Sequence, residues 1–262
     1  GCVRFRHVTG PFHLVIWMAG AEAWFDCIVV RDYLRADADA RARYAHTALA
    51  PVAEPALVAD ARTWWVRHQG FAPLDAVVEE LRTLPAPWYI SSGWALDLFL
   101  GQPSRCHHDV DVVLARADQL LLQQHLADRG WQFVTPLAGR LEPWPLHMRL
   151  EWPRHQAHAH RAGGFIDILF TDIAHGVWRY RRDPSIVQAT ERIVLQTADG
   201  LSFLAPEMVL LFKSKNTGNQ DRFKDQTDFE RVLPHLDATR RAWLRWALFV
   251  TTPQHPWLAL LV

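Results

Sequence analysis

The sequence predicts an α+β fold, with a small mixed β-sheet core, flanking helices and a helical C-terminal region. Short apolar runs such as Trp88–Ile90 and Phe165–Leu169 have the length of strands. Between them lie stretches with apolar residues at helical spacing, such as Leu74–Leu84, that end at proline or glycine. After Pro206 the patterns are helical. We therefore expect a mixed strand-helix core that is flanked by helical ends.

The composition is that of a globular protein without an overall charge bias. Half of the 262 residues are hydrophobic, and 28 basic residues balance 28 acidic ones. The balance gives no field that favours nucleic acid or an anionic membrane, although a local basic patch would still allow a nucleic-acid partner. No apolar run is long enough to span a bilayer. Three cysteines without metal-ligand spacing indicate free thiols, so we expect a cytoplasmic protein.

The front of the chain, 1–70, is expected to hold one strand and helices. An apolar run predicts a strand at 12–17, and sequence rich in alanine and arginine predicts a helix at 21–49. Pro51 and Pro55 interrupt this pattern before helical spacing resumes at 56–68.

The middle of the chain, 71–205, contains the predicted sheet. A strand at 88–91 leads through the turn Ser92-Gly93 into a helix at 94–100 that Gly101 ends. A strand at 109–114 and a helix at 118–129 follow, with Asp118 as the expected N-cap. Further strands are expected at 131–135, at 148–152 paired with 165–170, and on both sides of Asp199-Gly200.

The last part, 206–262, is expected to be helical. Pro206 is suited to the first turn of a helix that runs to about Lys215. Two more helices are expected at 223–233 and 237–250, separated by Pro234.

Three carboxylates on strands point to metal-assisted chemistry on a phosphate. Side chains alternate along a strand, so Asp109 and Asp111 should share one face. Two close like charges repel unless a cation lies between them, and Mg²⁺ prefers such oxygen ligands. Asp167 lies in an apolar run, where it could complete a two-ion site or act as a general base. The ordinary alternatives are an exposed acidic strand for the pair and a structurally paired buried aspartate for Asp167.

The turn before the first predicted core helix could hold a phosphate. Backbone N–H groups at the start of a helix have no partner within the helix, and Gly93 allows close approach because it has no Cβ. The only lysines, Lys213, Lys215 and Lys224, are clustered, which fits either a phosphate-binding ammonium or chance. The cluster His155, His158 and His160 reads as a hairpin connection rather than a metal site.

These residues resemble the nucleotidyltransferase superfamily with the DNA polymerase beta-type fold, in its aminoglycoside/lincosamide nucleotidyltransferase-like branch. The resemblance is carried by the run YISSGWALDLFLGQPSRCHHDVDVVL and by the later aspartate in a strand. The motif residues Gly93, Asp109, Asp111 and Asp167 match, while Ser92 stands where the family usually has a first glycine.

The resemblance implies a role for further residues. Arg105 and His107 match the Thr-Arg-x-His stretch that often precedes the aspartate pair, and Lys213 matches a triphosphate contact. Nucleotide binding is therefore expected at Ser92, Gly93, Arg105, His107 and Lys213. Catalysis and the binding of two Mg²⁺ ions are expected at Asp109, Asp111 and Asp167.

The implied reaction moves a nucleoside monophosphate from ATP, or another nucleoside triphosphate, to a hydroxyl of a small molecule of the aminoglycoside kind. The alternatives are a toxin-like enzyme that modifies tRNA or protein, and a non-catalytic relative that only binds nucleotide. The resemblance assigns the catalytic core to 71–205 and the helical C-terminal region to 206–262.

The front of the chain resembles a second branch of the same superfamily. The run FHLVIWMAGAEAWFDCIVVRDYLRADADARARYA is similar to the C-terminal strand and helices of GrpB-type proteins. The earlier catalytic strands of that family are missing, and Val15 replaces the second histidine of its His-x-His. We therefore expect 1–70 to be a GrpB-like remnant without its own active site.

Overall fold

The computed structural model describes residues 2–6, 13–17, 22–45, 55–162, 164–215 and 221–262. The chain forms two compact units, one of 1–76 with 103–109 and the other of 77–102 with 110–262. None of the described helices is both long and apolar enough to cross a membrane.

The first unit combines a two-stranded antiparallel sheet with helices. Strands β1 and β2 pair from Cys2 opposite Trp17 to Arg6 opposite His13, which confirms the expected strand at 12–17. The expected helix at 21–49 is divided at Asp37, whose carboxylate accepts a hydrogen bond from the Ala40 N–H (2.8 Å) and so caps a new helix. The elements are β1 (Cys2–Arg6), β2 (His13–Trp17), α1 (Glu22–Ala36), α2 (Ala38–Arg43) and α3 (Pro55–Gln69), followed by α4 (Ala72–Leu81), which continues into the second unit.

The second unit is built on a mixed sheet with helices. Its strands are β3 (Trp88–Ile90), β4 (Asp111–Ala115), β5 (Gln132–Leu137), β6 (Arg140–Pro143), β7 (Gln156–Arg161), β8 (Gly164–Ala174), β9 (Val177–Arg179), β10 (Val187–Ala189), β11 (Val194–Gln196) and β12 (Ser202–Leu204). Its helices are α5 (Ser92–Leu100), α6 (Gln119–Ala127), α7 (Thr190–Ile193), α8 (Pro206–Lys213), α9 (Asp221–Val232) and α10 (Ala238–Thr251). The α+β class is confirmed.

The strand order places the predicted active-site strands at the centre of the sheet. The order is β11-β12-β3-β4-β8-β7-β5-β6, and β9 and β10 extend from β8. Strands β4 and β8 are parallel, as are β12 and β3, and the other pairs are antiparallel. Central strands are buried on both faces, so the interior residues of β4, Val112, Val113 and Leu114, are buried.

The helical C-terminal region packs through buried aromatic and charged side chains. Phe229 of α9 stacks on Trp257, with ring centroids 4.1 Å apart. Arg240 of α10 donates from Nη1 to Glu207 Oε1 of α8 at 2.7 Å. The predicted helix after Pro206, the two C-terminal helices and the hairpin around Asp199-Gly200 are all confirmed.

One predicted strand is wrong. Residues 148–152 form no strand, and the partner of β8 on that side is β7. The backbone of Leu150 is instead bonded by side chains, because its N–H donates to Gln119 Oε1 (2.6 Å) and its carbonyl accepts from Arg116 Nη1 (3.0 Å). These two bonds satisfy the backbone N–H and C=O groups of Leu150, which would otherwise have to pair with a neighbouring strand.

Candidate active site

Two of the three predicted catalytic aspartates lie side by side in the sheet. Asp111, the first residue of β4, is the direct register partner of Asp167 in β8. Register partners in adjacent strands are about 4.8 Å apart and project to the same face. The backbone supports this placement, since Asp167 N–H donates to the Val110 carbonyl at 3.0 Å. The structure therefore brings two carboxylates together, as the sequence predicted for Asp111 and Asp167.

Strand β7 supplies two polar side chains to Asp167 that the sequence analysis missed. Gln156 donates from Nε2 to both carboxylate oxygens, at 2.9 Å and 2.7 Å. His158 is the register partner of Asp167 on this side, and its Nε2 lies 3.6 Å from Oδ1. The side chain of Asp167 is only 12% exposed, so these neighbours occupy much of its surroundings.

A signal for this strand is present in the sequence. In Gln156-Ala157-His158-Ala159-His160 polar and small apolar residues alternate with a period of two, as in a half-buried strand. Ala157 and Ala159 are both fully buried. The interpretation of this stretch as a hairpin connection was wrong, because Gln156–Arg161 forms strand β7. The strand was missed since alanine lacks the β-branched or aromatic character that usually marks a strand.

The turn between β3 and α5 adjoins the aspartate pair. Ser91 N–H donates to the Asp111 carbonyl at 2.9 Å, so the end of β3 is joined to the first residue of β4. The helix begins at Ser92, two residues earlier than predicted, and Gly93 is buried. Ser92 has φ 51°, the left-handed region that favours glycine.

The N-terminus of α5 can bind an anion at this position. The first N–H groups of a helix have no intrahelical acceptor, and the helix dipole favours negative charge there. The arrangement thus places a possible phosphate-binding turn beside carboxylates that can bind a cation.

Asp109 lies in the first unit, outside strand β4. The predicted strand at 109–114 begins instead at Asp111, so strand alternation does not determine where the Asp109 side chain points. Its Oδ2 lies 3.2 Å from His108 Nε2. The role of Asp109 as a metal ligand stays a prediction.

The residues expected to bind nucleotide ahead of β4 are also in the first unit. His107 is buried, and Arg105 donates from Nη1 to the Cys106 carbonyl at 3.2 Å. Burial raises the pKa of the neighbouring Cys106 thiol to about 12, so Cys106 is an inert thiol rather than a nucleophile. Nucleotide binding by Arg105 and His107 stays a prediction.

Lys213 is held by two aspartates of α9. Its Nζ lies 2.8 Å from Asp225 Oδ1 and 2.9 Å from Asp228 Oδ2. Burial disfavours the charged ammonium, but Asp228 and Asp225 outweigh this effect and raise the pKa of Lys213. The observed contacts are those of an ion pair that joins α8 to α9, and contact with a triphosphate stays a prediction.

The aspartate pair has the donor chemistry that Mg²⁺ requires. Across the described ranges, no group of three or more His, Cys, Asp and Glu side chains is arranged to hold a metal ion. Mg²⁺ usually takes only one or two protein carboxylates and completes its shell with water and substrate phosphates. Asp111 and Asp167 therefore fit an ion that is bound together with a nucleotide.

A family model supports the resemblance in the part of the chain that holds the turn and the first two aspartates. Residues 73–142 match the family Aminoglycoside-2''-adenylyltransferase. The matched segment includes Gly93, Asp109 and Asp111 and ends before Asp167. The similarity to the aminoglycoside/lincosamide nucleotidyltransferase-like branch is thereby confirmed for this segment.

Three solved structures are similar to the chain at low identity. The solution structure of the antibiotic-resistance factor ANT(2'')-Ia has 14% identity, covers 68% of this chain and 90% of its own, and has a TM-score of 0.47. The lincosamide antibiotic adenylyltransferase LnuA, bound to lincomycin, has 17% identity and a TM-score of 0.45, and the match covers 61% of this chain and 95% of LnuA. An antigenic nucleotidyltransferase-like protein from Paracoccidioides brasiliensis has 19% identity and a TM-score of 0.41, and the match covers 72% of this chain and 90% of that protein. No curated relative matches the chain by sequence.

Proposed function

We propose that the protein is a metal-dependent nucleotidyltransferase that transfers AMP from ATP to a hydroxyl of a small molecule of the aminoglycoside kind. The observation that carries this proposal is the register of Asp111 with Asp167, next to the turn that leads into α5. The family match over 73–142 supports nucleotidyltransferase chemistry. The catalytic core assigned to 71–205 includes this turn and both aspartates.

The protein residues have separable tasks in this reaction. Asp111 and Asp167 would hold Mg²⁺, with Asp109 as the further ligand that the sequence predicts. When bound, Mg²⁺ neutralises phosphate charge and lowers the pKa of the attacking hydroxyl. Ser92 and Gly93 present backbone N–H groups to the phosphates, and the helix dipole of α5 adds to their attraction.

The transfer itself exchanges one phosphorus–oxygen bond for another. The acceptor oxygen forms a bond to the α-phosphorus of ATP, and the bond from that phosphorus to the bridging oxygen breaks, which releases pyrophosphate. Asp167 either accepts the proton of the acceptor hydroxyl or helps to bind the second ion. Positioning and charge neutralisation supply most of the rate in such reactions.

The test is a transfer assay with ATP labelled at the α-phosphate, Mg²⁺, and separate panels of aminoglycosides, lincosamides and total RNA. We expect label in a small-molecule product together with release of pyrophosphate. Asp111→Asn should lose at least about 10³-fold in kcat, because it removes a charge that the transition state needs. Label in RNA instead would identify the toxin-like alternative.

The matched control is Asp172→Asn, which changes another aspartate of β8 whose side chain is half exposed. This variant should transfer AMP at the wild-type rate. Undiminished transfer by a folded Asp111→Asn variant would refute the proposal, since the paired carboxylates would then be dispensable.

A further inference from the structure

Gln156 holds the carboxylate of Asp167 from the neighbouring strand. One amide nitrogen lies within hydrogen-bond distance of both oxygens, at 2.9 Å and 2.7 Å, so the two oxygens share one donor group. The amide therefore holds the carboxylate group in place beside β7. The amide nitrogen lies between the two oxygens of Asp167. A cation or a proton must therefore bind the oxygen lone pairs that face away from Gln156.

The position of Gln156 is itself fixed by the sheet. In the antiparallel pairing of β7 with β8, Gln156 lies opposite Leu169 and His158 lies opposite Asp167. The Gln156 carbonyl also accepts a hydrogen bond from Thr135 Oγ1 of β5 at 2.9 Å, and Thr135 is fully buried. A side chain that starts from such a constrained backbone can hold its partner with little freedom.

The choice of a neutral amide matters for the charge of Asp167. An arginine or lysine in this place would form an ion pair and cancel the negative charge that attracts a cation. An amide satisfies the buried carboxylate by hydrogen bonds and leaves its charge in place. Gln156 thus holds the Asp167 carboxylate in place without neutralising it.

We propose that Gln156 is a positioning residue that holds the Asp167 carboxylate in place for nucleotidyl transfer. This inference rests on the proposed function. Loss of the amide should leave Asp167 charged but less firmly held, with His158 Nε2 still 3.6 Å from its Oδ1. Outer partners of metal-binding and catalytic groups typically contribute about 10- to 100-fold to activity or metal affinity.

The test compares Gln156→Met, which keeps the volume and removes the donors, with Gln124→Met. Gln124 also donates to an aspartate, Asp128 Oδ1 at 2.6 Å, but on the exposed face of helix α6. We expect Gln156→Met to lower kcat about 10- to 100-fold while the KM for ATP changes less than about threefold. Gln124→Met should keep the wild-type kcat. Gln156→Ala, which removes the donors without adding a charge, should also lose kcat, and it serves if the methionine variant does not fold.

A second readout does not depend on transfer. Titration of Mn²⁺ followed by electron paramagnetic resonance should give a dissociation constant for Gln156→Met at least about threefold weaker than that of the wild type. Wild-type kcat and wild-type Mn²⁺ affinity in a folded Gln156 variant would overturn the inference. If Asp111→Asn is inactive in the same series, the proposed function still stands. A wild-type protein that binds Mn²⁺ through Asp167 but transfers no nucleotide would refute the proposed function alone.

Discussion

Asp111 and Asp167 are direct register partners on the parallel strands β4 and β8, so two like charges lie side by side on one face of the sheet. Like charges in this relationship destabilise a sheet. The same arrangement attracts a divalent cation, so stability and ion binding are linked through these two residues.

Asp111→Asn should therefore stabilise the protein in the presence of a chelator. We expect the free energy of unfolding to rise by about 0.5 kcal/mol in urea titrations with EDTA, because one of two opposed charges is removed. Added Mg²⁺ should stabilise the wild type more than the variant. An equal response of the two proteins to Mg²⁺ would contradict a site at this pair.

Ser92→Gly should relieve a strained backbone at the start of α5. Ser92 has φ 51°, where a residue with a Cβ loses about 1 kcal/mol relative to glycine. We expect the unfolding free energy to stay equal or to rise by up to about 1 kcal/mol, measured by urea denaturation.

The matched control for Ser92 is the preceding serine. Ser91 has φ −130°, an ordinary extended conformation, and it is buried. Ser91→Gly should lower the unfolding free energy by about 0.5–1 kcal/mol, since glycine there only adds freedom to the unfolded chain. Equal losses in both variants would show that the left-handed conformation of Ser92 carries no cost.

Lys213→Met should destabilise the helical C-terminal region. The substitution leaves Asp225 and Asp228 facing each other in a largely buried place without the ammonium that now joins them. We expect a loss of about 3 kcal/mol in unfolding free energy, typical for removal of one partner from a buried ion pair. A second change, Asp225→Asn, should recover part of it.

Lys215→Met is the control for this prediction, because Lys215 is exposed. It should leave the unfolding free energy within about 0.5 kcal/mol of the wild type. A folded Lys213→Met variant of wild-type stability, with a raised KM for ATP, would contradict the structural role and favour a contact with the triphosphate.

His255 should make the stability of the C-terminal region fall at acidic pH. Burial lowers the pKa of His255, against a smaller raising effect from its backbone hydrogen bond to Ser214. The unfolded chain then binds a proton at a higher pH than the folded protein does, so the stabilisation is complete above about pH 6.5 and is lost as the pH falls toward the folded pKa. Protonation would also take away the Nδ1 acceptor that receives the Trp257 N–H at 3.2 Å.

The measurement is thermal unfolding at pH 7.5 and pH 5.5. His255→Asn keeps an acceptor for the Trp257 N–H but cannot take up the proton, so it should lose less stability on acidification than the wild type. His175→Asn, at an exposed turn, is the control and should follow the wild type. The same acid-induced loss in all three proteins would exclude His255 as its source.

Much of the local structure could be predicted because the signals lay within short segments. The apolar run before Ser92, the hairpin at Asp199-Gly200 and the proline at the start of α8 each have a direct physical effect on nearby backbone. The sequence suggested that Asp111 and Asp167 serve the same metal-assisted chemistry. It did not predict that they are register partners, since sequence alone gives no register between distant strands.

The errors arose where tertiary contacts replaced the usual local signals. The stretch around Leu150 reads as a strand, but Gln119 and Arg116 satisfy its backbone from elsewhere in the fold. The strand that holds Gln156 and His158 was missed because its buried positions are alanines. Alanine at a buried strand position gives little β-propensity signal, so a single sequence does not reveal the strand.

The parallel pairing of β4 with β8 also affects the order of events during synthesis. Neighbours in a parallel pair cannot be joined by a tight turn, and here β5, β6 and β7 are all synthesised between them. Contacts between such distant segments form slowly because the intervening chain must first be ordered. A nascent chain that has emerged from the ribosome only as far as β7 would contain the turn between β3 and α5 and Asp111 but would lack Asp167.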